Sequence, residues 1–422
     1  QLDVGNGYAP GVLGTKRQTF QYDGMGRLTL AQDDWDVAAP NTNIDSEVVM
    51  TYNSLGKVLT EQQKWADNSS GTYVTGYETV SSDYDSLGFR TNIYYPGPGQ
   101  VSDPVSLPDR ALEFTADELG RIKTIHDGSI PVGGGNFQYD YLGPRRVLKR
   151  TSPNGTMLTM LTVAGDPDAG GYDNLGRIKD LSNTVAVGTP GFSEFAYGYD
   201  NANNRKFQKR VSDTSLPNGE TYLYDSTSRL VNRIEGSVDA NGSLSAPTLT
   251  QDFYLDGLGN WKSHKKNSST YNQTINSLNQ YTIFNGPAGQ RTLYYDFLGN
   301  VINESFAAGE QQYVYDFLNR LVGYLSVGGD YTAYRYDALG RRISKNLNGW
   351  THTRYFYDGN RLIQERNTSG ASIQASYAYG GSLDEILTRR SGGTNIYYHS
   401  DALGSVAAVT NDAGTVLERY KY

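Results

Sequence analysis

Apolar and polar positions alternate along most of this chain, and aromatic residues mark one of the two phases. Tyr313 and Tyr315 fall on one face of an extended segment, with Gln312 and Val314 on the other. Tyr355 and Tyr357 repeat the arrangement opposite Arg354 and Phe356, and Tyr377 and Tyr379 repeat it opposite Ser376 and Ala378. A period of two is that of a pleated strand, whose side chains point alternately to its two faces. No long stretch carries apolar residues at helical spacing. The pattern predicts an all-β chain.

The alternating runs end in one recurrent punctuation mark. Tyr22-Asp23-Gly24-Met25-Gly26-Arg27 is the first clear copy, and Tyr52-Asn53-Ser54-Leu55-Gly56-Lys57 and Tyr84-Asp85-Ser86-Leu87-Gly88-Phe89 follow. Tyr172-Asp173-Asn174-Leu175-Gly176-Arg177, Tyr295-Asp296-Phe297-Leu298-Gly299-Asn300, Tyr315-Asp316-Phe317-Leu318-Asn319-Arg320 and Tyr336-Asp337-Ala338-Leu339-Gly340-Arg341 come later. Asp or Asn at the first corner, with Gly three residues on, predicts a type I turn: the side chain bonds backbone N–H groups ahead of it, and Gly closes the corner. An aliphatic residue soon after the turn, as at Leu28, Val58, Ile122, Leu230 and Leu321, opens the returning strand. The unit is therefore a tyrosine-led hairpin.

The period then sets the architecture. The residues ahead of the turns at Leu255, Ile275, Tyr295, Tyr315, Tyr336 and Tyr357 are spaced 20, 20, 20, 21 and 21 residues apart. Such a period holds two strands of about seven residues and two short turns. Before residue 254 the intervals are wider: Tyr22, Tyr52, Tyr84 and Ala116 are 30, 32 and 32 apart, which predicts longer strands and inserted loops. Tyr139-Asp140-Tyr141-Leu142-Gly143 reads as another copy, followed by Pro144. Between residues 151 and 260 the copies loosen: Tyr199-Asp200 lacks its Gly, and Tyr224-Asp225-Ser226-Thr227-Ser228-Arg229 has Ser in its place. Pro10-Gly11, Pro96-Gly97-Pro98-Gly99 and Gly133-Gly134-Gly135-Asn136 punctuate loops.

A length of 422 residues would ordinarily suggest two to four domains, but stacked repeats form one body and override that prior. Thirty-four tyrosines suit strand faces that are part buried and part wet. A net charge of −8 with no basic patch argues against nucleic acid as a partner. No apolar run approaches the ~18 residues that span a bilayer, so no membrane span is expected. The absence of cysteine excludes disulfides and thiolate metal sites and leaves the compartment open. Val406–Thr410 and Val416–Tyr420 flank a hairpin signal at Asn411-Asp412-Ala413-Gly414, and in phase with the repeat Tyr422 is expected to lead into a further turn.

These residues resemble the YD-repeat, or Rhs (rearrangement hotspot), family, which includes wall-associated bacterial proteins and the extracellular part of teneurins. The resemblance runs from about Phe20 to the end. The segment from Tyr397 through His399, Asp401 and Gly404 to Ser405 resembles the start of the Rhs-associated core. It implies a continuous antiparallel sheet of hairpin repeats that spirals into a hollow barrel or cocoon, with 1–392 as YD-repeat shell and 393–422 as the start of the core. It further implies a secreted, extracellular or cell-surface bacterial protein whose partner is its own C-terminal cargo or toxin domain, with a secretion-system component or a glycan as further partners. The bottom-up argument agrees on coiling, since open sheets beyond ~10 strands curl. Self-cleavage in the family uses aspartates in Asp-Pro motifs after the core. Asp103-Pro104 and Asp166-Pro167 stand in another context and are not carried over.

Candidate chemistry is sparse, and no catalytic, cofactor-binding or metal-binding residue is assigned. His126, His264, His352 and His399 are scattered without metal-ligand spacing. His399 is expected to bond into the adjoining turn. Asp166-Pro167-Asp168-Ala169-Gly170-Gly171-Tyr172-Asp173 alternates carboxylates and glycines as calcium loops do, but lacks a terminal Glu. Asp33-Asp34-Trp35-Asp36 is weaker. A glycosidase needs two carboxyls about 5–9 Å apart, but turn corners already account for the repeated aspartates. Strand-face tyrosines are expected to pack on one another across strands. The sequence therefore points to a structural container, with a cell-surface adhesion or carbohydrate-binding module, or a self-assembling extracellular layer, as rivals.

Overall fold

The computed structural model describes residues 2–3, 15, 17–35, 45–67, 74–97, 109–130, 135–160, 170–185, 191–212, 217–349, 351–367 and 372–422. Pro10-Gly11, Asp36, Pro98-Gly99, Asp103-Pro104, Gly133-Gly134 and the segment Asp166–Ala169 lie outside these residues. The described residues form strands joined by turns, with no helix. The chain is all-β, and its paired strands run antiparallel to their sequence neighbours.

The hairpin is built as the motif requires, with one added feature. Gly26 N–H donates to Asp23 O at 3.0 Å, and Asp23 N–H donates to Arg27 O at 2.9 Å, so the turn is closed twice. Asp23 Oδ1 accepts from the N–H groups of Met25 and Arg27. Gly26 has φ +78°, a left-handed conformation that costs a side-chain-bearing residue about 1–2 kcal/mol. This turn is followed by a register shift: Tyr22 pairs with Leu28 but Gln21 with Leu30, leaving Thr29 as an extra residue. The shift recurs at Tyr52, Tyr84, Tyr224, Tyr315 and Tyr336. Period-two alternation does not reveal a bulge, which increases the local twist of the strand that carries it.

The loosened copies keep the geometry. Asn203 at φ 72° and Ser228 at φ 62° take the left-handed position that Gly holds elsewhere, as do Asn279 and Asn319. Tyr139-Asp140 is a correction. Asp140 lies inside the strand Asn136–Leu142, and the turn falls at 143–145. Pro144 presets a turn corner there, so the strand runs on through the copy of the motif. The expected longer strands of the first half are present, as Val58–Asp67 and Val74–Tyr84.

Two compact units are formed from interleaved parts of the chain. The first comprises residues 1–135, 295–303 and 309–395. It contains an antiparallel run from Arg17–Tyr22 to Ile122–Asp127 and a second from Gly309–Tyr315 to Ile386–Ser391. The faces of these two runs meet through side chains. Ala31, Val48 and Ala338 form one small apolar cluster in this unit. The second unit comprises residues 136–294, 304–308 and 396–422. Its core gathers Leu158, Met160, Leu181, Phe195, Tyr197 and Ala407, so the strand Val406–Thr410 is packed against strands over two hundred positions earlier.

Candidate functional site

The conserved geometry of the unit, repeated along the chain, is the first candidate. Where the residue that closes a turn is Arg, it reaches in two directions in several copies. Arg177 Nε donates to its own Asp173 at 2.6 Å, and its Nη1 donates to Asp200 O of the next turn at 3.2 Å. Arg229 joins Asp225 to Asp256 O, and Arg320 joins Asp316 to Asp337 O. Where Asn replaces Arg, Asn260 donates to Asp256 and to Asn279 of the following turn. The guanidinium also lies over the tyrosine of the next unit, at 4.5 Å for Arg177 over Tyr199 and 4.9 Å for Arg320 over Tyr336. The tyrosine hydroxyl then donates back to the preceding hairpin: Tyr199 to Ile178 O at 2.8 Å, Tyr336 to Leu321 O at 2.8 Å and Tyr379 to Leu362 O at 2.7 Å. Each contact is worth on the order of 0.5–1.5 kcal/mol.

The turn carboxylates are consumed by this arrangement. Asp225 accepts from the N–H groups of Thr227 and Arg229, from the Thr227 hydroxyl and from Arg229 Nε. The Arg229 N–H is the largest of the causes that hold its carboxyl far below the usual carboxylate range. Asp23 is held low chiefly by the Arg27 N–H, and Asp256 chiefly by the Asn260 side-chain amide. Such groups are fixed as anions and serve the corner.

The second candidate is a buried polar seam where the two runs of the first unit meet. Arg110 is 1% exposed and donates to Asp127, Ser376 O and Thr388 Oγ1. Arg366 is 0% exposed and donates to Glu78 Oε1 at 2.5 Å and to Pro96 O at 2.7 Å. Arg341 binds Glu61 and its own Asp337. The Gln63 amide donates to Tyr357 O at 2.6 Å and accepts from Tyr357 N–H at 3.1 Å, so it acts as a strand partner at the bulge after Phe356. Arg90 grips Asp358 with two bonds, at 2.6 and 2.9 Å. Burial pushes Glu61 up against the pull of Arg341, and it pushes Asp33 up to about 6.

A third feature is a half-buried aromatic face on the second unit, with Trp261 exposed at its edge and Phe253 buried. Phe253, Trp261, His264 and Tyr271 stack in sequence across three strands, with Phe253 and Trp261 at 4.9 Å and His264 and Tyr271 parallel at 4.5 Å. Tyr281 and Phe284 continue it on the next strand. The opposite face of the strand Ser269–Ile275 carries Thr270, Asn272 and Thr274, all exposed.

The histidines fall in separate environments. His264 belongs to the aromatic face, and His352 is buried beside Ser344 Oγ at 3.1 Å. His126 lies half-buried in the strand Ile122–Asp127. His399 is 1% exposed and is held to Thr410 Oγ1 at 2.9 Å, with Phe192 edge-on at 4.8 Å. Its partner is on the neighbouring strand, where the expectation placed it in the turn, because His399 lies inside the strand Thr394–Ser400 facing inward. Burial, with the charge of Arg150, holds its imidazole down at about 3. Among the described residues no group of three or more His, Asp or Glu gathers as metal ligands. Of the candidate calcium loop, the described Asp173 is a turn carboxylate bonded to Arg177.

The comparisons agree with this geometry. The teneurin YD-shell profile matches residues 170–422, more than half of the sequence. The chain belongs to the YD-shell family. A 178-residue stretch is 30% identical to the tRNA3(Ser)-specific nuclease WapA of Bacillus spizizenii, covering 40% of this YD-shell chain and 7% of that relative. The tRNA nuclease WapA of Bacillus subtilis is 28% identical over the same extent. The chain thus spans under a tenth of these relatives' length. The crystal structure of TcdB2-TccC3-Cdc42 superposes with a TM-score of 0.61 at 12% identity, over 96% of this chain and 23% of that one. The Photorhabdus luminescens Tc holotoxin pore superposes with a TM-score of 0.59, over 96% and 22%. At that identity the likeness is one of fold.

Sequence reasoning found the YD corners and the tyrosine faces and missed the seam. Glu61, Gln63 and Glu78 sit at inward-facing positions of their strands, where the pattern offers no apolar residue to mark burial. It also expected tyrosine to pack on tyrosine. That holds for Tyr313 with Tyr324 at 5.4 Å, whereas at the corners the ring lies under an arginine.

Proposed function

We propose that this chain is wall: part of an Rhs-type YD shell that encloses a C-terminal polypeptide cargo, of the polymorphic-toxin kind, for secretion or delivery. The observation that carries the proposal is the extent of the structural likeness. Nearly the whole chain matches under a quarter of a much longer toxin-complex chain, in repeats whose charged corners are spent on holding neighbouring hairpins together. The WapA relatives, named as tRNA nucleases, are likewise matched over a small share of their length, so their activity is not carried to this segment. Under this proposal the chain has an architectural role and acts outside the producing cell, and its partners are the cargo and a secretion-system component.

Limited proteolysis of the full-length reading frame tests it. A cargo domain inside a shell resists protease until the shell is denatured. A cargo cut at the rate of the free domain removes the enclosure. A second reading, an adhesion or carbohydrate-binding surface at the cell exterior, is favoured by the exposed Trp261 in the aromatic row from Phe253 to Phe284. Glycan binding that disappears in Trp261→Ala and Tyr271→Ala would select it over enclosure.

A further inference from the structure

The first run of the first unit carries its corners at Asp23, Asn53, Asp85 and Asp117 on one edge, because each strand from Arg17–Tyr22 to Ile122–Asp127 pairs antiparallel with the next. Neighbouring corners touch. Arg27 Nη1 donates to Asn53 O at 3.2 Å, and a Cβ added at Gly88 would meet Lys57 Cε at 3.1 Å and Leu55 Cδ1 at 3.5 Å. Two strands separate one corner from the next, so the corners form a row about 29 Å long. The residue two places after each corner Asp or Asn is apolar and turned to solvent: Met25 is 76% exposed, Leu55 54%, Leu87 90% and Leu119 66%. The corner uses only the backbone N–H of that position, and Thr227 fills it equally well in the corner at Asp225. Turn geometry therefore does not ask for an apolar side chain there, and contiguous exposed apolar groups mark contact surfaces. The corner at Asp337 shows the contact such groups make: Ala338 packs on Ala31 and Val48, with Leu339 against the same cluster.

The charges of the row differ from end to end. The first corner is balanced, with Arg27 on Asp23 at 2.6 Å. The second has Asn53 in place of Asp and keeps Lys57, so it is positive. The third keeps Asp85 but has Phe89 in place of Arg, so it is negative. Lys57 and Asp85 are both exposed, and neither enters an ion pair. The fourth holds Asp117 on Arg121 and adds the exposed Glu118, so it is negative too. We propose that this row is a self-association face, on which a second copy of the chain sits antiparallel about a two-fold axis. Leu55 then meets the partner's Leu87, Met25 meets the partner's Leu119, and Lys57 stands opposite the partner's Asp85, twice over by symmetry. A parallel arrangement would set Asp85 and Glu118 against their own counterparts, which like charge disfavours. Leu258 and Leu278 of the second unit are as exposed, but their corners close with Asn260 and Gln280 and carry no cation to pair across an axis. The row is one side chain wide, short of the ~800 Å² per partner that a standard stable complex buries, so the dimer forms reversibly. This inference does not rest on the enclosure reading.

Sedimentation of the full chain over a range of concentrations tests it. A reversible monomer–dimer equilibrium is expected, with no larger species. Leu55→Ser combined with Leu87→Ser should weaken association at least tenfold and leave the melting temperature of the monomer unchanged. Lys57→Glu alone should weaken it by a similar factor, since it sets a carboxylate against the partner's Asp85. Asp85→Asn combined with Ser86→Lys should do the same from the other side. Its corner is kept, because Asn53 and Glu118 hold those two positions in neighbouring corners. An equimolar mixture of the two charge variants pairs opposite charges at both sites and is expected to associate within about threefold of the unaltered chain. A strict monomer would overturn the face and leave the row to some other contact. A dimer untouched by the leucine changes, open-ended growth, or a mixture no tighter than either variant alone would each overturn it as well.

Discussion

At the scale of single residues the chain depends on buried charges that are held by several partners. Arg110 is the clearest case, with Asp127 at 0% exposure beside it. Removing one member of such a pair strands the other's charge, which typically costs 3–5 kcal/mol. Arg110→Met is therefore expected to lower unfolding stability in urea by about that amount. Arg110→Met combined with Asp127→Leu should cost less than the sum of the single changes, and strict additivity would show the pair to be uncoupled. His399 makes a pH prediction. Its imidazole is held at about 3 in the fold against 6.5 when free. The unfolded chain binds the proton first, so the stability His399 supports is complete above pH 6.5 and is lost as pH falls toward 3. His399→Gln should flatten the dependence of urea midpoint on pH in that window.

At the scale of the hairpin, the corner position after Asp decides local stability through backbone conformation. Ser228 occupies a left-handed φ of 62° that Gly takes in the regular copies. Ser228→Gly is expected to stabilise by about 1 kcal/mol, read as a higher urea midpoint. Gly340, at φ +80° with open space around it, should lose about as much on change to Ala. The turn aspartates add an acid limit. Their carboxyls are held low, so their contribution is present above the ordinary carboxylate range, near pH 4, and is lost as pH falls through their lowered values. The hairpins were legible because the corner is chemically explicit: Asp, two or three residues, then Gly or Asn. The bulge after each corner was not, because an extra residue such as Thr29 or Thr91 looks like any other strand residue until its partner strand is known.

At the scale of the molecule, the links from one corner to the next make each hairpin answerable to its neighbours. Repeat proteins of this kind behave as nearest-neighbour chains. Asp256→Ala removes the acceptor for Leu258, Asn260 and the Asn260 amide. Amide hydrogen exchange is expected to rise in that hairpin and in the adjoining strands Leu230–Val238 and Ser269–Ile275, and to stay unchanged in Val406–Thr410. Uniform acceleration across the second unit would mean that it opens as one body. Family membership and the all-β class were legible at this scale, because a motif repeated at a fixed interval is a global property written locally.

What the amino-acid order decided by itself is therefore the list of hairpins, their corners apart from the copy at Tyr139-Asp140, and the aromatic phase of the strands, since all three follow from contacts between residues close in sequence. Which strand faces are covered came only from the fold. Gln312 and Val314 are exposed, whereas Arg354 and Phe356, in the same phase of a later strand, are buried. The difference lies in what meets the strand from some 300 positions away: Glu61, Gln63 and Glu78, polar residues with no periodic apolar signal, which are buried because guanidinium and backbone partners reach them. Burial of that kind is a property of the pair, and neither member carries it alone.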